Sequence, residues 1–89
     1  MNSEQRELFR KAILQVLEAN QTRFGLAETA VRHFMATYGF PNPDPTVVTG
    51  ELLYLVDKGL VAQANKSLSP ENQVWRITAE GRDFLAVNG

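Results

Sequence analysis

The stretch TVVTGELLYLVDKGLVAQANKSLSPENQVWRITAEGRDFL, residues 46–85, decides the fold. Val48, Leu52 and Leu55 recur at steps of four and three, which is helical spacing, and the run stops at Gly59. Two short runs with strand character follow, residues 60–64 and 74–78. Between them lies the polar NKSLSPENQ, in which Ser69-Pro70-Glu71-Asn72 suits a type I turn. Alternation in the second run places Trp75 and Ile77 on one face and Val74, Arg76 and Thr78 on the other. Thr78 is then a cap for a closing helix that carries Phe84, Leu85 and Val87. The order is helix, hairpin, helix.

Two further helices are expected upstream. Residues 3–20 set Phe9, Ile13, Val16 and Leu17 on one stripe, with Leu8 and Ala12 beside them. Glu4 and Glu7 near its start complement the helix dipole. Residues 26–38 repeat the pattern through Ala30, Val31, Phe34, Met35 and Tyr38, and Gly39 suits a left-handed stop. The next segment, FPNPDP (residues 40–45), holds three of the chain's four prolines. Proline restrains itself and its predecessor, so no helix crosses this loop. Asp44 then caps a helix over residues 45–58, with Pro45 in the first position, where its missing N–H costs nothing.

Composition bounds the function. Eighty-nine residues with 44% hydrophobic content make one domain over residues 1–89, near the small end of what a single core stabilises. The chain has no cysteine, so disulfides and thiolate zinc sites are excluded and packing must supply the stability. The start, MNSEQRELFRK, is polar and amphipathic, so no signal peptide is expected and a cytoplasmic location is the natural reading. No run approaches the ~18 apolar residues of a membrane span. A net charge of −1 argues against a nonspecific nucleic-acid binder, although a local basic patch remains compatible with it.

Two motifs carry a family resemblance: LLYLVDKGLV (residues 52–61) and VWRITAEGRDFL (residues 74–85). The first looks like the end of a recognition helix running into a strand. The second is similar to an aromatic-x-hydrophobic-Thr-x-x-Gly junction between the last wing strand and a final helix. With the two upstream helices, the chain resembles the winged helix-turn-helix superfamily, notably small bacterial and phage regulators of the MarR, PadR and ArsR kind. That resemblance implies a mainly α fold with a small β-hairpin (α+β), in the order H1-H2-H3-strand-wing-strand-H4. It implies a transcriptional regulator that binds double-stranded DNA, pairs as a homodimer and is not an enzyme. The usual tight turn between the second and third helices is replaced here by FPNPDP. Winged helices also serve as protein-protein modules, so a docking module without DNA binding stands as the alternative.

On a helical wheel the face of the third helix opposite the core carries Thr46, Thr49, Gly50, Leu53, Tyr54 and Asp57. In a DNA-binding winged helix this face enters the major groove, so Thr46 and Thr49 are candidates for base edges or phosphates and Tyr54 for a phosphate. This helix has no arginine, and its one lysine, Lys58, is at the far end. Positive charge must come from Lys66 in the wing, Arg76 on its second strand and Arg32 on the second helix. The plain alternative is that Thr46, Thr49 and Lys66 are solvated polar residues. Leu53 and Tyr54 are expected to pack against the FPNPDP loop, or else to form a protein contact.

Other signals favour structure over chemistry. His33 is the only histidine and has no second ligand or nucleophile to work with. No glycine-rich phosphate loop, HExxH or Ser/His/Asp set is present, and no cofactor is implied. Trp75 is a core residue in preference to a stacking platform for single strands. Arg6, Arg10 and Lys11 read as a solvated face or a dimer rim, partly offset by Glu4 and Glu7.

Overall fold

The computed structural model describes residues 1–22, 24–65 and 72–88. Helix α1 (Ser3–Ala19) opens on a reciprocal cap: the Gln5 N–H donates to Asn2 Oδ1 at 2.8 Å, and the Asn2 N–H donates to Gln5 Oε1 at 3.3 Å. Its buried stripe is Phe9, Ala12, Ile13, Val16 and Leu17, joined by Leu14, which is fully enclosed. Leu8, expected beside that stripe, instead faces solvent at 52% exposure. A wide apolar stripe bends the covered face toward Leu14 and leaves Leu8 at its far edge.

The second helix starts later than its periodicity predicts. Leu26–Ala27 form a strand, β1, that pairs antiparallel with Trp75 and Val74. The Glu28 N–H extends the pairing by donating to the Gln73 carbonyl at 2.9 Å. Two residues carry too little pattern to register as a strand, and they sit where a helical count runs through them. Gly25 makes the approach possible: at φ +90° it turns the chain, and a Cβ there would lie 2.8 Å from the Trp75 carbonyl. Helix α2 (Glu28–Phe34) follows, then a 3₁₀ turn (Met35–Tyr38) ending at Gly39. Val31 and Met35 point into the core.

No helix crosses the proline segment, as its composition predicts, but it bends at Pro41 and Asn42, with Asn42 at φ +49°, instead of running extended. Phe40 packs edge-on against Phe9 with ring centroids 5.0 Å apart. Helix α3 (Pro45–Asp57) then begins with Asp44 Oδ1 accepting from the Thr46 N–H at 2.8 Å. Val48, Leu52 and Leu55 are its buried row. Strands β2 (Val61–Gln63) and β3 (Val74–Ile77) pair antiparallel, and the sheet order is β1-β3-β2. The turn expected at Ser69-Pro70-Glu71-Asn72 lies outside the described residues for all but its last position.

Helix α4 (Ala79–Asn88) closes the fold at a tight junction. Thr78 Oγ1 accepts from the Gly81 N–H at 3.0 Å and donates to the Gly59 carbonyl at 2.6 Å, so one hydroxyl caps α4 and ties it to the end of α3. Gly81 is buried against Leu60, whose carbonyl oxygen would be 2.2 Å from any added Cβ. That approach explains the Thr-x-x-Gly spacing. The architecture is mainly helical α+β, with α1, α3 and the sheet enclosing one core in which Trp75 and Ile77 are buried. No helix among the described residues is long and apolar enough to cross a membrane.

Candidate nucleic-acid interface

Helix α3 exposes one long face. Thr46, Gly50, Leu53, Tyr54 and Asp57 lie along it, with Leu53 48% and Tyr54 37% exposed. Added atoms on Gly50 would meet nothing within 4 Å, so the middle of this face is open. Leu53 and Tyr54, expected to pack on FPNPDP, remain this far exposed, and Phe40 of that loop packs on Phe9.

Tyr54 is covered from another side. The Arg10 guanidinium of α1 lies 3.6 Å from the centre of the Tyr54 ring, and Lys58 Nζ is 5.6 Å from it. Arg10 Nε also donates to Glu51 Oε2, and Arg6 Nε lies 3.9 Å from Glu51 Oε1. Arg10 is thus engaged within the fold, while Arg6, 52% exposed, stays on the solvated edge beside the same carboxylate. They neutralise the acid that the sequence places on the third helix. The signal for this was available in spacing: Arg6 and Arg10 are four apart on α1, and Glu51 and Tyr54 three apart on α3, so each pair shares a helix face.

Thr49 is turned away from the open face. Its hydroxyl is 2.5 Å from Glu28 Oε2 and 3.0 Å from the Pro45 carbonyl, so its proton is held within the fold. The wheel sets Thr49 at the edge of the outer face, and a buried acceptor on α2 captures it. That acceptor, Glu28, is only 1% exposed and also receives the Trp75 Nε1–H at 3.1 Å. Sequence reasoning missed Glu28, since an acid at a helix start is normally explained by the dipole alone.

The remaining candidates are spread. Thr46 is exposed in the first turn of α3, and Arg76 is exposed on β3 opposite Ala62. Arg32 is partly buried on α2, and its Nε has no hydrogen-bond partner among the described residues. Lys66 lies outside the described residues. His33 is exposed beside Phe34, with ring centroids 5.4 Å apart. Among the described residues no group of three His, Asp or Glu side chains is placed to hold a metal ion. Comparison with known proteins finds no matching family model, no matching curated protein and no matching solved structure.

Proposed function

We propose that the chain is a winged helix-turn-helix module that binds double-stranded DNA through α3, in the manner of a small bacterial or phage transcriptional regulator. One observation carries this reading: Thr46, Gly50 and Leu53 on the outer face of α3 are open to solvent, and the neighbouring acid, Glu51, is paired with Arg10, with Arg6 close by. A major groove accepts a helix whose outer side chains are short or flat and whose charge does not oppose the phosphates. Thr46 offers a short side chain and Gly50 none, and Arg76 and Arg32 supply backbone contacts. The strand order β1-β3-β2 and the Thr78–Gly81 junction support the same assignment. A homodimer would join two such faces on adjacent half-sites, through the exposed Leu8 of α1 or Phe84 and Val87 of α4.

Binding of a mixed-sequence duplex, measured by anisotropy across a salt series, tests the reading. With about three phosphate contacts, affinity falls roughly 40-fold between about 50 and 200 mM salt. Arg76→Ala lowers the salt slope by about one and weakens all sequences alike. Absence of duplex binding at about 50 mM salt overturns it. The exposed apolar Leu53 favours a second reading, a protein docking surface, in which Leu53→Asp abolishes partner binding.

A further inference from the structure

Beside α2 and the proline loop lies an open groove of about 380 Å³, lined by Thr29, Arg32, His33, Asn42 and Pro43. Four of these five side chains carry hydrogen-bond donors or an imidazole, and none is a carboxylate. The acids nearest in sequence are otherwise engaged: Glu28 is buried beneath Trp75 and Thr49, and Asp44 caps α3. Arg32 stands out because its Nε is enclosed yet has no hydrogen-bond partner among the described residues. A buried guanidinium N–H without an acceptor loses the hydration it had in the unfolded chain, and such groups ordinarily find a partner. Asn42, which also lines the groove, sits at φ +49°, a conformation asparagine tolerates better than most residues.

We propose that this groove is an oxyanion site that holds a phosphate group, with Arg32 as its principal donor. A guanidinium fork together with a hydroxyl and an amide matches the several acceptor oxygens of a phosphate. An apolar ligand would find only Pro43. The proposal deepens the duplex reading and rests on it for the source of the phosphate. Pro43 lies two residues before Pro45, so an anion held here sits next to the first turn of α3, where that reading brings the DNA backbone.

Titration of the whole chain with inorganic phosphate at constant ionic strength, followed by nitrogen-proton NMR of arginine Nε and backbone groups, tests the site. Saturable shifts are expected at Arg32 Nε–H and at the amides of Thr29, His33 and Asn42, with Arg76 unmoved. Arg32→Gln should weaken phosphate binding on the order of tenfold, and Arg32→Lys should restore part of it by returning the charge without the fork. Thermal unfolding of both variants separates loss of the site from loss of the fold. Shifts of equal size at Arg76, a non-saturating response, or unchanged affinity in a folded Arg32→Gln variant would overturn the proposal. The source is read by repeating the measurement with a mixed-sequence duplex. Groove shifts that inorganic phosphate competes away identify a backbone phosphodiester. Saturable phosphate binding with no response to duplex upholds the site, assigns it to free phosphate or a monoester, and removes the duplex reading instead. Duplex binding that leaves the groove resonances unmoved and is unchanged in Arg32→Gln removes the proposal and keeps the duplex reading.

Discussion

Trp75 Nε1 donates to Glu28 Oε1 at 3.1 Å inside the core, while the other oxygen of the same carboxyl group accepts from Thr49 at 2.5 Å. One side chain thereby joins β3, α2 and α3. The loop between α2 and α3 is long and proline-rich, so it fixes their mutual orientation less directly than a tight turn. The Glu28 node supplies that orientation from within. Buried polar groups of this kind are satisfied only in one arrangement of the surrounding elements, which makes them specify a packing as well as stabilise it.

The node has a sharp mutational signature. Glu28→Ala removes both acceptors and strands the indole N–H in the core, at a cost of about 2–4 kcal/mol. Glu28→Gln should cost less than about 1 kcal/mol, because the amide oxygen can accept from Trp75 while its NH₂ donates to Thr49 Oγ1. The Thr49 proton is then free for the Pro45 carbonyl 3.0 Å away. Urea unfolding of the two variants checks this, and equal destabilisation would show that the carboxyl group is required for more than its acceptors.

The same substitution at two glycines should change stability in opposite directions. Gly81→Ala places a Cβ 2.2 Å from the Leu60 carbonyl, so α4 must shift off the end of α3, destabilising by about 1–3 kcal/mol. Gly50→Ala meets no atom within 4 Å and replaces the poorer helix former, stabilising by about 0.5–1 kcal/mol. Thermal melts of the two variants decide it. A stable Gly81→Ala protein would mean that the α3–α4 junction is not as close as described.

The boundaries and the core were largely legible because both rest on local pattern. Val48, Leu52 and Leu55, or Trp75 and Ile77, announce their burial by spacing alone. Strand β1 was not legible, since two residues have no period and only the partner strand makes them a strand. The site was harder for a related reason. Thr49 and Tyr54 look outward on a wheel, and what redirects them comes from Glu28 and Arg10, 21 and 44 positions away. Long-range pairing of polar groups leaves no periodic trace, and it decides which side chains of α3 remain available.

If the chain pairs through α4, the contact face is Phe84 with Val87, three residues apart, 41% and 84% exposed respectively. Phe84→Lys should then convert a dimer to a monomer in sedimentation experiments at high micromolar concentration. Its thermal stability should be nearly unchanged, since an exposed side chain contributes little to the monomer core. A dimer that survives Phe84→Lys moves the contact to Leu8 on α1, and a wild-type monomer removes pairing altogether.

The charge arrangement on α3 gives the duplex reading its most discriminating test. Glu51 ties up Arg10 and lies 3.9 Å from Arg6, so it offsets the charge of two cations close to the proposed groove contact. Glu51→Gln removes one negative charge from that face and frees Arg6 to turn toward a phosphate backbone. Duplex affinity should therefore rise, by about three- to tenfold at low salt, and the salt slope should steepen by about one. Stability should fall only slightly, by about 0.5–1.5 kcal/mol, as Arg10 retains its place over the Tyr54 ring. The protein-docking reading expects no such gain, because a neutral apolar surface around Leu53 is indifferent to one part-buried ion pair. Duplex affinity unchanged or reduced in Glu51→Gln, with the fold intact, would mean that this face of α3 does not lie against DNA.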